Sequence, residues 1–293
     1  MNHTDLKTHA QLILEYVYSQ ERNLSYPLIY EDFLNQFQKE ILTNEPNKFA
    51  GFWWNINPQI KDYWLLKIKN SWQHQNVYHY LTTLFESQEI DMSFKYGLMG
   101  LLLWLSKENK KKNDSTINSF IQEATRLVLE KKMKLNANWN QYAFLPEAFD
   151  ENTWTSENIL SWNSGDLHVV KLLYQCVDIE NNNFAEIAEN IGLYSISRVS
   201  EEKSKITDSS LENGSIGLVI LYNDLYQKTH QEAYLEASLF WLKKTEVFLI
   251  KELQSGYYDG RETNILGGLS GIIVVLEELK KEDSSLILTY LTY

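Results

Sequence analysis

Hydrophobic and polar residues alternate along much of this chain with the period of an α-helix. After Ser115 the apolar positions fall on one helical face, and they are Ile117, Phe120, Ile121, Ala124, Leu127 and Val128. This spacing predicts a helix with Ser115 or Thr116 as its N-cap residue. A second amphipathic helix is predicted from about Gln231 to Ile250, where leucines are interspersed with charged residues.

The segments that follow a recurring glycine motif are instead apolar on all sides. The motif occurs as Gly97-Leu-Met-Gly100, Gly214-Ser-Ile-Gly217, Gly268-Leu-Ser-Gly271 and a fourth copy that begins at Gly165 and has His168 at the second glycine position. Helices that are apolar all round are buried, so these segments are predicted to be inner helices. Residues 272–276 have strand propensity, but their register with the other copies predicts a helix.

The spacing of the motifs predicts the organisation of the chain. Successive copies are 68, 49 and 54 residues apart, which fits a helical hairpin plus a loop. Hairpins of inner and outer helices predict an all-α fold, either a closed ring or a solenoid. We expect one domain over residues 1–293, with a divergent helical part at 1–92 that has no glycine motif and recognisable repeats at 93–293.

Composition and charge exclude several classes of function. The chain has a formal net charge of −12, which disfavours nucleic-acid binding and favours a basic partner. Cys176 is the single cysteine, so neither an internal disulfide nor a thiolate cluster for structural zinc is expected. Neither a signal peptide nor an apolar run long enough to span a membrane is recognisable, and a cytoplasmic location is expected.

Around its glycines the chain resembles the lanthionine synthetase C-like (LanC-like) family, the cyclases of lanthipeptide maturation. The resemblance covers about residues 90–293 and rests on Ser161-Trp-Asn-Ser-Gly-Asp166, Leu211-Glu-Asn-Gly-Ser-Ile-Gly217 and Gly267-Gly-Leu-Ser-Gly271. It implies an α/α toroid (barrel) of helical hairpins with glycine-led inner helices and a site at its mouth. An incomplete ring is the alternative, because residues 1–92 contain no motif.

The resemblance also implies where a zinc site would lie. In active cyclases of the family, a cysteine follows the tryptophan and a Cys-His pair precedes the next glycine, and these residues hold a zinc ion that activates a peptide cysteine for addition to a dehydroamino acid. The matching positions here are Asn163, Glu212 and Asn213, while Tyr96 matches the family's catalytic histidine and Ile159 lies near a family arginine. Asparagine amides are poor zinc ligands, so we expect no metal and no other cofactor.

Seven residues are candidates for the functional site. The candidate catalytic residues are Tyr96, Asp166 and His168, and the candidate peptide-binding residues at or beside the former zinc positions are Trp162, Asn163, Glu212 and Asn213. Tyr96 either donates a proton or lines a peptide groove. Asp166 either stabilises the first turn of its helix or acts as a base, and His168 either fills space or projects into a cavity. The polar residues at the zinc positions form a site or cap helix starts.

Three functional hypotheses follow. The first is a degenerate, zinc-free cyclase that holds a ribosomally made precursor peptide or a dehydratase-type modification enzyme. The second is a zinc-independent peptide cyclase, for which cyclase domains of some multifunctional lanthipeptide synthetases without zinc ligands are a precedent. The third is an α/α-toroid glycosidase, which needs two carboxylates flanking one sugar bond; Asp166 and Glu212 are candidates, although the Trp-x-x-Gly-Asp register argues against it.

Overall fold

The computed structural model describes residues 3–21, 27–29, 31, 35, 58–131, 143–152, 157–176 and 183–281. Among these residues, the helices in chain order are α1 His3–Gln20, α2 Pro58–Ser71, α3 Val77–Phe85, α4 Leu98–Lys112, α5 Ser115–Glu130, α6 Asp166–Cys176, α7 Phe184–Ile196, α8 Glu201–Ser204, α9 Ser215–Thr229, α10 Glu232–Ser255 and α11 Leu269–Lys280. The all-α class is therefore confirmed. No helix in this part of the chain combines the length and hydrophobicity needed to cross a membrane.

The glycine motifs begin helices, as their shared register predicts. Helices α4, α6, α9 and α11 start at or directly after Gly97, Gly165, Gly214 and Gly268. Residues 269–280 form a helix despite their strand propensity, because this segment is buried on every side in its first two turns. Tertiary burial therefore outweighs local propensity at this segment.

The chain divides into two compact units, which we call the central unit (Ile41–Arg198) and the terminal unit (Met1–Glu40 with Val199–Tyr293). In the central unit, α4 packs against both α5 and α6, α6 packs against α7, and α5 contacts α2 and α3. The apolar face predicted for α5 is buried, but its N-cap residue is Asp114 and neither Ser115 nor Thr116. The Asp114 carboxylate accepts the N–H groups of Thr116 and Ile117, which a hydroxyl at Ser115 would be one residue too late to reach.

A two-stranded sheet in the central unit anchors the loop that precedes α4. Strand β1 (Ile90–Asp91) pairs antiparallel with β2 (Ala148–Phe149), with Ile90 opposite Phe149. The pairing continues for one more residue, because the N–H of Met92 donates to the oxygen of Glu147 at 3.0 Å. This anchor sets the start of the loop that ends at Gly97.

In the terminal unit, α9 and α10 form a hairpin. Their connection is short: His230 has a left-handed conformation with φ of 56°, and Gln231 is the N-cap residue of α10. Helix α10 extends to Ser255, beyond the end near Ile250 that the pattern predicts. Short connections of this kind make consecutive helices neighbours, as expected for a helical hairpin.

The N-terminal helix α1 packs against the last motif helix, α11, and also against α10. Its buried face consists of Leu6, Ala10, Ile13, Leu14 and Val17, spaced as on one side of a helix. Two polar contacts accompany this packing: Tyr18 donates to Glu277 of α11 at 3.0 Å, and His9 lies 2.9 Å from the carboxylate of Glu246 of α10.

Candidate functional site at the glycine loops

The loops that precede three of the motif helices share one geometry. Gly97, Gly214 and Gly268 are N-cap residues with φ of −109°, −107° and −120°, values that other residues also adopt. Their glycine requirement is therefore one of space. A Cβ on Gly97 would lie 2.4 Å from the carbonyl oxygen of Asp91, and one on Gly268 would lie 1.9 Å from that of Arg261.

Two of these loops are closed by the same carboxylate turn. The Asp91 carboxylate accepts the N–H of Ser93 at 2.6 Å, and the Asp208 carboxylate accepts the N–H of Ser210 at 2.8 Å. Both sequences read Asp-x-Ser-x-x-x-Gly up to the N-cap glycine. This repeated spacing is a sequence signal for the turn, and it lies N-terminal to the glycine motif. In both copies Asp is the residue that forms the turn.

The loop before α6 needs glycine for its backbone conformation as well as for space. Gly165 has φ of +114°, a region that residues with side chains rarely adopt. A Cβ there would also lie 2.7 Å from the carbonyl oxygen of Ile159. The turn is closed by Ser161, whose N–H donates to the oxygen of Ser164 at 2.9 Å.

Asn163 joins the loop before α6 to the loop before α4. Its main-chain oxygen accepts the N–H of Phe94 at 2.6 Å, and its side-chain oxygen accepts the N–H of Lys95 at 3.1 Å. The side chain of Asn163 is only half-buried, yet its acceptor atom points into the protein. Asn163 therefore connects the two loops with two hydrogen bonds.

Tyr96 is the exposed residue of this joined pair of loops. It follows Lys95 directly, and its N–H donates to the hydroxyl of Ser93 at 3.3 Å. The residue is 47% exposed, and the Lys95 ammonium lies 4.9 Å from the centre of its ring. A fixed backbone thus presents an accessible phenol with a cation beside it.

An aromatic cluster lies beneath these loops. Trp162 is fully buried and meets Phe94 edge-to-face, with ring centres 5.2 Å apart. His168 is 1% exposed and stacks on Phe94, with ring centres 4.6 Å apart and nearly parallel planes. Its Nε2 donates to the main-chain oxygen of Trp162. His168 thus fills buried space at the second glycine position.

Asp166 is the centre of a buried polar network. Its carboxylate accepts the N–H groups of Phe144 and Leu145, both at 3.1 Å, and the side-chain amide of Asn158 at 2.8 Å. The Arg198 guanidinium lies 3.1 Å from the same carboxylate, and both side chains are almost completely buried. Arg198 also donates to the side-chain and main-chain oxygens of Asn158. The network connects three separate chain segments to the first residue of α6.

In the terminal unit, Glu212 and Asn213 lie on the loop before α9. The N–H of Glu212 donates to the oxygen of Leu266 at 2.9 Å, which joins this loop to the one before α11. Asn213 is exposed and Glu212 is half-buried. The loop closes because the N–H of Ser215 donates to the main-chain oxygen of Asp208 at 2.9 Å.

The structure brings the sequence-predicted residues together in two groups. In the central unit, Trp162 and Asn163 contact the loop that carries Tyr96, and Asp166 and His168 are buried behind it. In the terminal unit, Glu212 and Asn213 are neighbours on a single loop. The buried partners Asn158 and Arg198 are not predictable from the sequence, because no local pattern connects them to the Trp motif.

Comparisons with known proteins agree with this fold. The family model "Lanthionine synthetase C-like protein" matches residues 13–292. A solved structure of nisin cyclase is similar over 97% of this chain and 78% of its own chain, with a TM-score of 0.59 and 17% sequence identity. At that identity the likeness concerns the fold alone. Among curated proteins, none matches this sequence.

Proposed function

Because the chain belongs to the lanthionine synthetase C-like family, we propose that it binds a ribosomally made precursor peptide or a dehydratase-type modification enzyme and does not form thioethers itself. One observation carries this proposal. Asn163, at a position where the resemblance places a zinc-binding cysteine, uses its side-chain oxygen to accept the N–H of Lys95. This side chain joins two loops, which is a structural task.

The donor groups at the former ligand positions do not suit zinc. They are two asparagine amides and one carboxylate, whereas structural and catalytic zinc sites are built from thiolates, imidazoles and carboxylates. In the part of the chain that the structure describes, no group of three or more His, Cys, Asp or Glu residues is arranged to hold a metal ion. The proposal therefore assigns this protein no zinc-dependent step.

The accessible groups at the glycine loops suit recognition of a peptide. Tyr96 offers an exposed ring and hydroxyl, and Asn213 offers an exposed amide. Aromatic rings and amides bind peptides through apolar contact and hydrogen bonds without needing a reactive group. The net charge of −12 favours a basic leader or partner segment, whose binding would weaken as salt screens the attraction.

In this proposal, Asp166 and His168 position the site and are not catalytic. The carboxylate of Asp166 is engaged by Arg198, Asn158 and two main-chain N–H groups, and it is fully buried. His168 is held between Phe94 and the oxygen of Trp162. A general base must reach the proton that it removes, and burial of this kind supports a positioning role.

A zinc-independent cyclase is the second candidate, and the exposure of Tyr96 favours it. The resemblance places this residue at the family's catalytic histidine, and its phenol is accessible to a substrate. In that case the peptide thiol would lose its proton to solvent and its sulfur would bond to the β-carbon of the dehydroamino acid, while Tyr96 would protonate the α-carbon and regain a proton from solvent. The glycosidase hypothesis gains no support, since the Asp166 carboxylate is buried with its guanidinium partner.

Three measurements test the proposal. Elemental analysis of the purified protein should find no stoichiometric zinc, and one tightly held zinc per chain would overturn the zinc-free assignment. Binding of a precursor peptide should have a Kd on the order of micromolar, as in transient recognition, and should weaken with salt. With a dehydrated precursor, free thiol should disappear no faster than it does spontaneously.

Tyr96→Phe separates the two candidates. If thiol loss exceeds the spontaneous rate and Tyr96→Phe abolishes the excess, the protein is a zinc-free cyclase and the binding proposal is wrong. Tyr63→Phe is the matched control, because Tyr63 is similarly exposed and lies on α2, outside the glycine loops. Absence of binding to pathway peptides and to a dehydratase partner would refute both candidates.

A further inference from the structure

A buried carboxylate holds the loop that carries Glu212 and Asn213. Glu252 lies in the last turn of α10 and is 9% exposed. One of its oxygens accepts the N–H of Ser209 at 3.0 Å, and the other accepts the hydroxyls of Ser209 and Tyr258. Among the described residues, no Lys, Arg or His forms an ion pair with it.

Ser209 belongs to a turn that is already closed on itself. The neighbouring Asp208 accepts the N–H of Ser210 with its carboxylate and the N–H of Ser215 with its main-chain oxygen. A Cβ on Gly214 would lie 2.3 Å from the main-chain nitrogen of Ser210, so the backbone of the turn is closely packed at this position. Ser209 is therefore part of a closed turn from 208 to 215, which includes Glu212 and Asn213.

The other partner of Glu252 is Tyr258, which lies just beyond the end of α10. Gly256 is the C-cap residue with φ of 71°, and the N–H of Tyr257 donates to the main-chain oxygen of Glu252 at 3.0 Å. The Tyr258 hydroxyl lies 2.6 Å from that of Ser209 as well as near the carboxylate. Glu252, Ser209 and Tyr258 thus form a triad between the turn and the helix end.

We propose that Glu252 is a positioning residue that fixes the Glu212–Asn213 turn through Ser209 and Tyr258 and thereby sets its geometry for partner binding. The binding consequence rests on the proposed function, whereas the fixing of the turn is a property of this chain alone. A carboxylate suits the task because it accepts all three hydrogen bonds at once.

Charge gives this triad a pH dependence. Burial raises the pKa of the Glu252 carboxyl, and the carboxylate of Asp208 raises it further. The pKa of the Tyr258 hydroxyl is also raised by burial and by Glu252, so that it remains a donor. Among the described residues, Asp208 and Tyr258 are the titratable groups that act on Glu252, and neither supplies a positive charge.

Hydrogen exchange in the full-length protein tests the fixing of the turn. Glu252→Ala should speed exchange of the Ser209–Ser215 amides about tenfold, because loss of two or three net hydrogen bonds loosens the turn. Glu252→Gln retains an oxygen for the Ser209 N–H, and its NH2 group can donate to the hydroxyls of Ser209 and Tyr258, which then act as acceptors. It should therefore stay close to wild type. Glu236→Ala, on an exposed position of α10, is the matched control and should change nothing.

Binding of a precursor peptide is the second measurement. Glu252→Ala should weaken it about tenfold while Glu252→Gln and Glu236→Ala bind like wild type. Unchanged exchange in Glu252→Ala would overturn the inference, and so would equal effects of Glu252→Ala and Glu236→Ala. If Glu252→Ala does not fold, Ser209→Ala removes only the hydroxyl of Ser209 and should speed exchange of the same amides by a smaller factor, because the Ser209 N–H and the Tyr258 hydroxyl still donate to Glu252. If wild type binds no partner, the proposed function fails, and the exchange result still decides whether Glu252 fixes the turn.

Discussion

The two units each hold a motif loop with a buried carboxylate, but they compensate its charge differently. In the central unit, Asp166 has a guanidinium, a side-chain amide and two main-chain N–H groups as partners. In the terminal unit, Glu252 has one N–H and two hydroxyls and no described cation. Both carboxylates therefore accept several hydrogen bonds, and only Asp166 also has a described counter-charge.

The difference has an energetic consequence. Removing one partner of a buried ion pair leaves the other charge without compensation, which is strongly destabilising. A carboxylate bound only by neutral donors can instead take up a proton. Burial raises the pKa of the Glu252 carboxyl because it disfavours the charged form. We therefore expect the central unit to be sensitive to mutation and the terminal unit to pH.

The largest effect is expected from loss of the Arg198 guanidinium. Arg198→Met should lower the free energy of unfolding by about 3–5 kcal/mol, because the buried Asp166 carboxylate loses its ion-pair partner and Asn158 loses two hydrogen bonds. Urea unfolding followed by tryptophan fluorescence measures this. Arg126→Met is the control, since its ion pair with Glu123 is exposed and should be worth less than about 1 kcal/mol. If Arg198→Met costs no more than Arg126→Met, the pair does not hold the central unit.

An intermediate effect is expected at Gly268, the N-cap residue of α11. It tests whether the loop before this helix is packed too closely to accept a side chain. Gly268→Ala should cost about 1–3 kcal/mol, because its Cβ would lie 1.9 Å from the oxygen of Arg261. At the adjacent Gly267 the nearest atom would be 4.0 Å away, so Gly267→Ala should change stability by less than about 0.5 kcal/mol. Chemical denaturation of both variants gives the comparison, and equal losses would contradict a space requirement specific to Gly268.

The smallest effect is expected from the protonation of Glu252. Its pKa is raised in the folded protein, so the folded state binds more protons than the unfolded state between pH 4.5 and the raised pKa. Stability should therefore fall as the pH rises through this window, and the loss should be complete above the raised pKa.

Glu252→Gln should remove this part of the pH dependence. The variant retains the shape of the side chain and cannot titrate, so the difference between its melting temperature and that of wild type should change across the window. Glu236→Gln, an exposed position on α10, should follow wild type at every pH. A constant difference between wild type and Glu252→Gln from pH 4 to pH 8 would show that Glu252 does not titrate there.

Much of the fold follows from the sequence because its signals are local. The glycine motifs predict the starts of α4, α6, α9 and α11, and the apolar stripe predicts α5. The N-cap residue of α5 was predicted one or two positions late, because Asp114, Ser115 and Thr116 are all acceptable capping residues by type. Only the backbone geometry distinguishes them.

The buried residues that contact the loops of the candidate site from distant helices could not be predicted in the same way. Arg198 lies 32 residues from Asp166, and Glu252 lies 43 residues from Ser209. Such pairs are created by helix packing, and a buried Arg or Glu looks in sequence like any other charged residue on a helix. The spacing Asp-x-Ser-x-x-x-Gly recurs in the sequence at 91–97 and 208–214. It predicts the turn, but it does not predict the distant residues that bind the turn.

The packing of α1 against α11 has a consequence for the order of folding during synthesis. The terminal unit is discontinuous, with residues 41–198 made between its two parts. The apolar face of α1 cannot be covered by α11 until residues 269–280 have left the ribosome, so it lacks this partner while residues 41–198 are made. Contacts of such long sequence separation also slow folding. The central unit, whose residues are contiguous, can fold first on the nascent chain.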